Sequence, residues 1–351
     1  MQSIAATEQR VFEGLTSATT AGVVIEGARS ARTHVVAILG TRWTDFSIER
    51  EVLASLSVEI HSGEGSSAEE VVEAAGDADV ILAGSSPHFD AATLDRLICR
   101  GIVRYGVGTD SIDLGAAAER GMWVAYVPDY GTEAVSLHAV ALILAALRRL
   151  IEADYLVKQG GWGLDHLRPL HAPSGLTAGV IGFGRIGSAT ASHLSSLGFR
   201  VLAYDPYTSV PEGLGSASID RLLREADIVS LHAPLHAGSE PLIGRPELEK
   251  MKSGAVLVNT ARGSLIDDTA LVEGLAKGTP GIAALDVYAN EPPNISLFEP
   301  VIDRMILTPH MAWYTEESEA ELRRRAAEEA RRILFGESPT NIAASPLKGS
   351  E

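Results

Sequence analysis

Short apolar, β-branched runs alternate with helical patterns from residue 34 to residue 310. VVAILG (35–40) reads as a strand and residues 45–56 as an amphipathic helix. SVEIH, ADVILAG, GIVRYG and WVAYV read as further strands, with helices in SAEEVVEAAG, DAATLDRLI and DLGAAAERG between them. These runs are apolar throughout, the mark of strands buried on both faces of a parallel sheet. Pro128 and Asp129 then break the pattern and mark a hinge. A single long helix is predicted over 132–157. Its middle is apolar all round, so it should be buried on all sides. Residues 158–176 form a loop rich in Gly, Pro and His.

A second alternation follows. Its strands are GVIGF, RVLAY, DIVSLHAP, AVLVNTA, AALDV and MILTPH, with helices near SIDRLLREA, RPELEKM and DDTALVEGLAKG. A charged helix over 316–335 carries Leu322, Ala326, Ala330 and Leu334 on one stripe and should return to the first domain. The tail NIAASPLKGSE reads as loose. Residues 1–32 read as a mobile extension with a short helix near 8–15. No internal repeat is evident beyond the βα alternation. The pattern predicts an α/β fold of two doubly wound parallel-sheet domains.

Composition narrows the function classes. The 351 residues suffice for two domains, and 46% are hydrophobic. There are 29 basic and 46 acidic residues, a net charge of −17, which disfavours nucleic acid or an anionic membrane as partner. No apolar run reaches membrane-spanning length, and the N-terminus lacks a signal pattern. The one cysteine, Cys99, excludes an internal disulfide and fits a reducing cytoplasm; in LICRGIV it reads as a core residue. An anionic substrate on so acidic a chain needs a locally basic site, which directs attention to the arginines.

The strongest chemical signal is GVIGFGRIG…RVLAYD, with strand, three spaced glycines, helix, strand and acid in the order of a dinucleotide-binding fingerprint. Gly182 permits a sharp turn, Gly184 lets backbone approach a pyrophosphate, and Gly187 lets the helix lie close to the sheet. Asp205, eighteen residues after Gly187, can accept bonds from a ribose diol and repels a 2′-phosphate, so NAD(H) should be preferred over NADP(H). The ordinary alternative is a tight turn in a parallel sheet, which requires neither three glycines nor the acid.

Ligands of open α/β sheets bind beyond the carboxyl ends of the strands. The predicted strand ends carry Asp205, His232 to Pro234, Thr260 to Arg262, Asp286 and His310, all at one edge. Taken singly, Arg262 could be a surface arginine, Glu291 a solvated loop acid and His310 a capping histidine. Together they form a consistent set. A histidine titrates near neutrality and moves protons, a carboxylate on its other nitrogen orients it, and a guanidinium grips a carboxylate. Beside a nicotinamide such a set reduces a ketone and needs no metal.

These residues carry a resemblance. From about residue 35 to 341 the chain resembles the D-isomer-specific 2-hydroxyacid dehydrogenases, through RYGVGTDSIDL, VPDYGTEAVSLHAVALILA, GVIGFGRIG…YDP, LHAPL, LVNTARGSLID, AALDVYANEPP and TPHMAWY. VPDYGTE and TPHMAWYTEES look most like the branch that includes the C-terminal-binding proteins. The resemblance implies His310 as acid/base, Glu291 as its partner and Arg262 as the substrate arginine. It implies that the Val107 and Gly108 N–H groups hold the substrate carboxylate, that Arg104 assists, and that Trp313 lines the pocket. It implies Arg185 and Ile186 at the pyrophosphate, Asp286 at the nicotinamide amide, and Thr260 and Ala261 beside the cofactor; His232, Ala233 and Pro234 of LHAPL complete the cofactor set. It implies an NAD-binding Rossmann domain (128–311) inserted into a flavodoxin-like substrate domain (33–127 and 312–345), and a homodimer built on the long helix.

Departures are few. His236 replaces the usual Thr after LHAPL, and GSEPLIG lacks the common acid–threonine pattern. His232 and His236 have a helical metal spacing, but Pro234 between them argues against a helix, and no metal is expected. His88 and Phe89 either reach the substrate's far end or pack locally. The activity expected is interconversion of a small 2-keto acid and a D-2-hydroxy acid. The alternative is an NAD(H)-sensing, dimeric, corepressor-like binding protein. Glu291, where formate dehydrogenases carry an amide, argues against that relative, and phosphite oxidation is remote.

Overall fold

The computed structural model describes residues 32–235 and 241–347. The expected N-terminal helix and the departure at His236 lie outside the described residues. Strands β1 (His34–Leu39), β2 (Val58–Gly63), β3 (Val80–Ala83), β4 (Gly101–Arg104) and β5 (Trp123–Tyr126) form one sheet. Strands β6 (Thr177–Ile181), β7 (Arg200–Tyr204), β8 (Gly215–Ser216), β9 (Ile228–Leu231), β10 (Val256–Asn259), β11 (Ile282–Leu285) and β12 (Met305–Leu307) form a second. A last strand, β13 (Ile342–Ala344), returns to the first sheet.

The first sheet runs β13-β5-β4-β3-β1-β2 and the second β12-β11-β10-β9-β6-β7-β8. Apart from β13 these are the flavodoxin-like and Rossmann orders, so the molecule has the two expected doubly wound α/β domains. In the second sheet the order reverses between β6 and β9, which are paired neighbours. A crevice at the carboxyl ends of those strands is where this topology places a ligand. β3 and β6 are buried along their whole length, as strands covered on both faces must be. Alternation in β1 splits its side chains between the two faces: Ala37 and Leu39 pack with Ile81, Phe89 and Ile102, and Val36 and Ile38 with Leu82 and Val103.

The charged helix, observed at Glu316–Leu334, lies on the first sheet as its stripe required. Leu322, Ala326, Ala330 and Leu334 join Val36 and Ile38 in one core. Several predicted helices are shorter than their patterns: 45–56 contracts to Ser47–Val52, and DAATLDRLI to Ala91–Leu94.

Two expectations are corrected. The helix predicted over 132–157 is two helices, Thr132–Leu147 and Leu150–Lys158, bent by 58°. Arg149 breaks it at φ +48, and its Nη1 donates to the His166 carbonyl at 3.0 Å. Nor is it buried on all sides. Val140, Ile143 and Ala146 pack against the second sheet, whereas Leu137 and Ala141 are exposed. Residues 342–344 of the tail are also anchored. β13 pairs antiparallel with β5, so the first sheet is not wholly parallel. Glu329 holds its approach by accepting the N–H groups of Thr340 and Asn341 at 2.7 and 3.2 Å.

Candidate active site

The glycines of the fingerprint divide into two that pack and one that opens. Gly182 has φ +90, and a Cβ there would press on the His232 carbonyl at 2.6 Å. A Cβ on Gly187 would overlap the Gly182 carbonyl oxygen. A Cβ on Gly184 would meet nothing within 4 Å. Gly184 precedes the Arg185–Ser196 helix, which starts without a side-chain cap, so its first N–H groups, those of Arg185 and Ile186, offer bonds and positive dipole to a phosphate. The Arg185 side chain turns to Asp129, Nε to Oδ1 2.6 Å.

Asp205 ends β7. Its Oδ2 accepts the Phe183 N–H at 2.7 Å, and its Oδ1 those of Tyr207 and Thr208 at 2.7 and 2.8 Å. Burial pushes its pKa up, but these bonds outweigh it and hold the carboxyl below the usual range. His232 bonds Ser230 Oγ through Nε2 at 2.9 Å, and burial pushes its pKa down to about 4. Ala233 is half-buried and Pro234 exposed. Asn259 ties the next strand end: its Oδ1 accepts the Ala261 N–H at 3.0 Å, and its Nδ2 donates to the Arg262 carbonyl at 2.8 Å. Thr260 Oγ1 is buried and has no partner among the described residues. An open glycine, an uncapped helix start and an orphaned hydroxyl on one sheet edge fit a dinucleotide.

His310 and Glu291 meet beyond β12 and β11, with Nδ1 to Oε2 at 2.7 Å. Glu291 Oε1 accepts the Tyr288 N–H at 3.1 Å. Burial raises the Glu291 pKa, but the bond and charge of His310, the Tyr288 N–H and the Arg262 charge together carry it below the usual range. The imidazole is thus oriented through one nitrogen, and Nε2 has no partner among the described residues. Asp286 lies under this turn, fully buried. Its carboxylate accepts Thr308 Oγ1 at 2.6 Å and the N–H groups of Met311 and Ala312 at 2.9 Å each. In this structure it acts as the scaffold of the His310 turn.

The Arg262 side chain is tied on both sides. Nε donates to Asp110 Oδ2 at 2.8 Å and Nη1 to the Ala261 carbonyl at 2.7 Å. Its guanidinium lies over Gly108, where a Cβ would overlap Nη2. Val107 is exposed, and neither its N–H nor that of Gly108 donates a hydrogen bond among the described residues. Arg104, the end of β4, is held by backbone: Nη1 donates to the carbonyls of Tyr105 and Ala83 at 2.5 and 3.3 Å. Its Nε is buried without a partner among the described residues, and burial pushes its pKa down to about 10. Trp313 meets Tyr130 edge-on at 6.2 Å. Phe89 is core, bridged to Ile112, while His88 is exposed, so packing decides the former. Asp110, Asp129 and Tyr130 were not singled out in sequence as site residues. Asp110 and Tyr130 stand inside RYGVGTD and VPDYGTE, but their partners lie far along the chain and spacing could not reveal them.

The chain is similar to known proteins over most of its length. The family model for the NAD binding domain of D-isomer specific 2-hydroxyacid dehydrogenases matches residues 140–312. The chain is 38% identical over 285 residues to a glyoxylate reductase of Thermofilum pendens, covering 78% of this chain and 83% of that one. It is 37% identical over 269 residues to a D-3-phosphoglycerate dehydrogenase of Archaeoglobus fulgidus, covering 75% of this chain but spanning only 50% of that longer relative. A D-lactate dehydrogenase of Aquifex aeolicus, solved with NAD and lactic acid, superposes with a TM-score of 0.79 at 28% identity, covering 89% of this chain and 100% of that one. None of these three is a C-terminal-binding protein, the branch its motifs suggested. With the glycine turn, the His–Glu pair and the arginine on one edge and these relatives beside them, the chain belongs to the D-isomer specific 2-hydroxyacid dehydrogenase family.

Proposed function

We propose that the protein interconverts a small 2-keto acid and the corresponding D-2-hydroxy acid with NAD(H). The observation that carries the reading is the 2.7 Å His310–Glu291 pair at the same sheet edge as Arg262 and the glycine turn. The Arg185 and Ile186 N–H groups hold the pyrophosphate, Asp205 the adenosine ribose, and Thr260, Ala261 and the His232–Pro234 segment flank the dinucleotide. When bound, the nicotinamide supplies or accepts hydride at the carbonyl carbon. Arg262, with the Val107 and Gly108 N–H groups and Arg104 behind them, anchors the substrate carboxylate and polarises the carbonyl. His310 gives its proton to the carbonyl oxygen in reduction and takes it back in oxidation. Glu291, anionic, steadies the protonated imidazole through Nδ1. Trp313 and Tyr130 wall the pocket. The His310–Glu291 pair favours turnover over the nucleotide-sensing alternative, since a sensor has no use for a proton donor there.

Residues 128–311 are the cofactor domain in this reading, and 33–127 with 312–345 the substrate domain. The exposed apolar side chains along residues 137–157 support a homodimer, and the single buried cysteine a reducing setting. Among the described residues no single helix is long and apolar enough to cross a membrane.

The test is NADH consumption with glyoxylate, hydroxypyruvate, pyruvate and longer or charged 2-keto acids. His310→Ala should lose about 10²–10⁴-fold in kcat while binding NADH as the wild type does. Asp205 stays anionic, so NADH should exceed NADPH in kcat/KM, and Asp205→Ala should erode the preference. Equal use of NADPH by the wild type would remove the role given to Asp205.

A further inference from the structure

We infer that Asp110 is a positioning residue: it holds the Arg262 guanidinium by Nε and so presents the Nη1–Nη2 edge to the substrate carboxylate. The inference rests on the reading of Arg262 as the substrate's anchor. Arg262 follows β10 of the second sheet and Asp110 follows β4 of the first, 152 residues away in the chain. A guanidinium has two edges that match a carboxylate, Nη1/Nη2 and Nε/Nη2. Asp110 Oδ2 takes Nε at 2.8 Å, and the Ala261 carbonyl fixes the roll of the plane through Nη1 at 2.7 Å. Asp110 thereby orients the fork without filling the edge left to the ligand.

Gly108 belongs to the same device. A Cβ there would overlap Arg262 Nη2 and come within 2.9 Å of Asp110 Oδ2, so three residues from two sheets converge on one point. Arginine side chains are long and mobile, and a fork already fixed before the substrate arrives spares that ordering at binding. Because the tie crosses from one sheet to the other, Arg262 is aimed only while the two sheets hold their present approach.

The test compares Asp110→Asn and Asp110→Glu with the wild type. KM and kcat are measured for a 2-keto acid that the wild type reduces. Binding of oxamate, an unreactive 2-keto acid mimic, to the NADH-saturated protein gives affinity without turnover. NADH affinity alone checks that the variants are folded. Asp110→Asn should raise KM and the oxamate Kd about tenfold, with kcat changed less than about threefold and NADH affinity unchanged. Asp110→Glu should restore most of the loss, because a carboxylate is back within reach of Nε. Parallel losses in NADH affinity, kcat and KM would mean a merely structural role and overturn the inference. Oxamate binding as tight as or tighter than wild type in Asp110→Asn would also overturn it, the second case making Asp110 a competitor of the substrate. A wild type that neither turns over a keto acid nor binds oxamate would overturn the functional reading itself, and this inference with it.

Discussion

His310 adopts φ +51, a left-handed conformation that costs an ordinary side chain about 1–3 kcal/mol. Asp286 is what holds it there. Its carbonyl accepts the His310 N–H at 2.8 Å, and its carboxylate bonds Thr308 before the histidine and Met311 and Ala312 after it. Asparagine at 286 would turn an NH₂ group toward one of those donors. Asp286→Asn should therefore lose about 2–3 kcal/mol of stability in urea and lower kcat more than it weakens NADH binding. A loss confined to NADH affinity, with stability intact, would instead favour the nicotinamide role that the resemblance implied. Cys99, buried, and His232, half-buried, give sharper chemistry. Burial pushes the Cys99 thiol up to about 12, so a thiol reagent should leave the native protein untouched and label it only in denaturant. His232 titrates near 4 when folded, against about 6.5 when free. Between those values the unfolded chain binds a proton that the folded one does not, so stability present above pH 6.5 is lost as pH falls toward 4. Unfolding at pH 5 rather than 7 should show about 2 kcal/mol of this loss, and His232→Gln should remove that part of the slope.

At the scale of elements, the start of the Arg185–Ser196 helix separates packing from binding. Gly187→Ala drives a methyl into the Gly182 carbonyl and should lower the melting temperature. Gly184→Ala meets no protein atom, so it should fold normally and lose NADH affinity, as fluorescence quenching would show. The sequence pointed to all three glycines because their spacing is local. It could not point to the break at Arg149, since Arg-Arg-Leu suits a helix and the turn is set by packing and by a bond to His166. The helix Glu316–Leu334 shows both sides of this limit. Its apolar stripe was readable, but the pair beneath it was not. Arg323, only 8% exposed, forks onto Glu49, which is fully buried, at 2.8 and 2.7 Å, and stacks over Trp43 at 4.7 Å. Their separation of 274 residues hides the pair from any sequence window. Glu49→Gln strands the guanidinium and should cost about 3–5 kcal/mol, while the double change Glu49→Gln/Arg323→Met should cost less. Additive losses in denaturant titrations would count against the pair.

Across the whole molecule, a correspondence appears that the linear pattern concealed. Ala-Asp-Val before β3 and Ala-Asp-Ile before β9 are equivalent: the Asp79 carboxylate accepts the Val35 N–H of β1 at 3.1 Å, and the Asp227 carboxylate accepts the Thr177 N–H of β6 at 2.8 Å. Each acid pins the start of the neighbouring strand, so both sheets begin in register by the same means. Sequence could identify the two sheets because parallel strands buried on both faces are apolar along their length. It could not identify surfaces, because an apolar residue facing solvent reads like one facing a core. The helix pair 132–158 is the case in point: its hydrophobic content suggested burial all round, yet Leu150, Ile151 and Tyr155 are 53, 58 and 65% exposed, and Trp162 just beyond is 90% exposed. Single exposed apolar residues are ordinary, but several on consecutive turns mark a surface that another protein surface covers. A second copy of the chain is the economical occupant, as a two-fold contact needs only one self-complementary patch. Leu150→Glu with Tyr155→Glu should therefore convert a dimer to a monomer in sedimentation velocity without altering NADH affinity, since neither side chain takes part in the cofactor edge. A wild type that sediments as a monomer at micromolar concentration would leave that face for another partner.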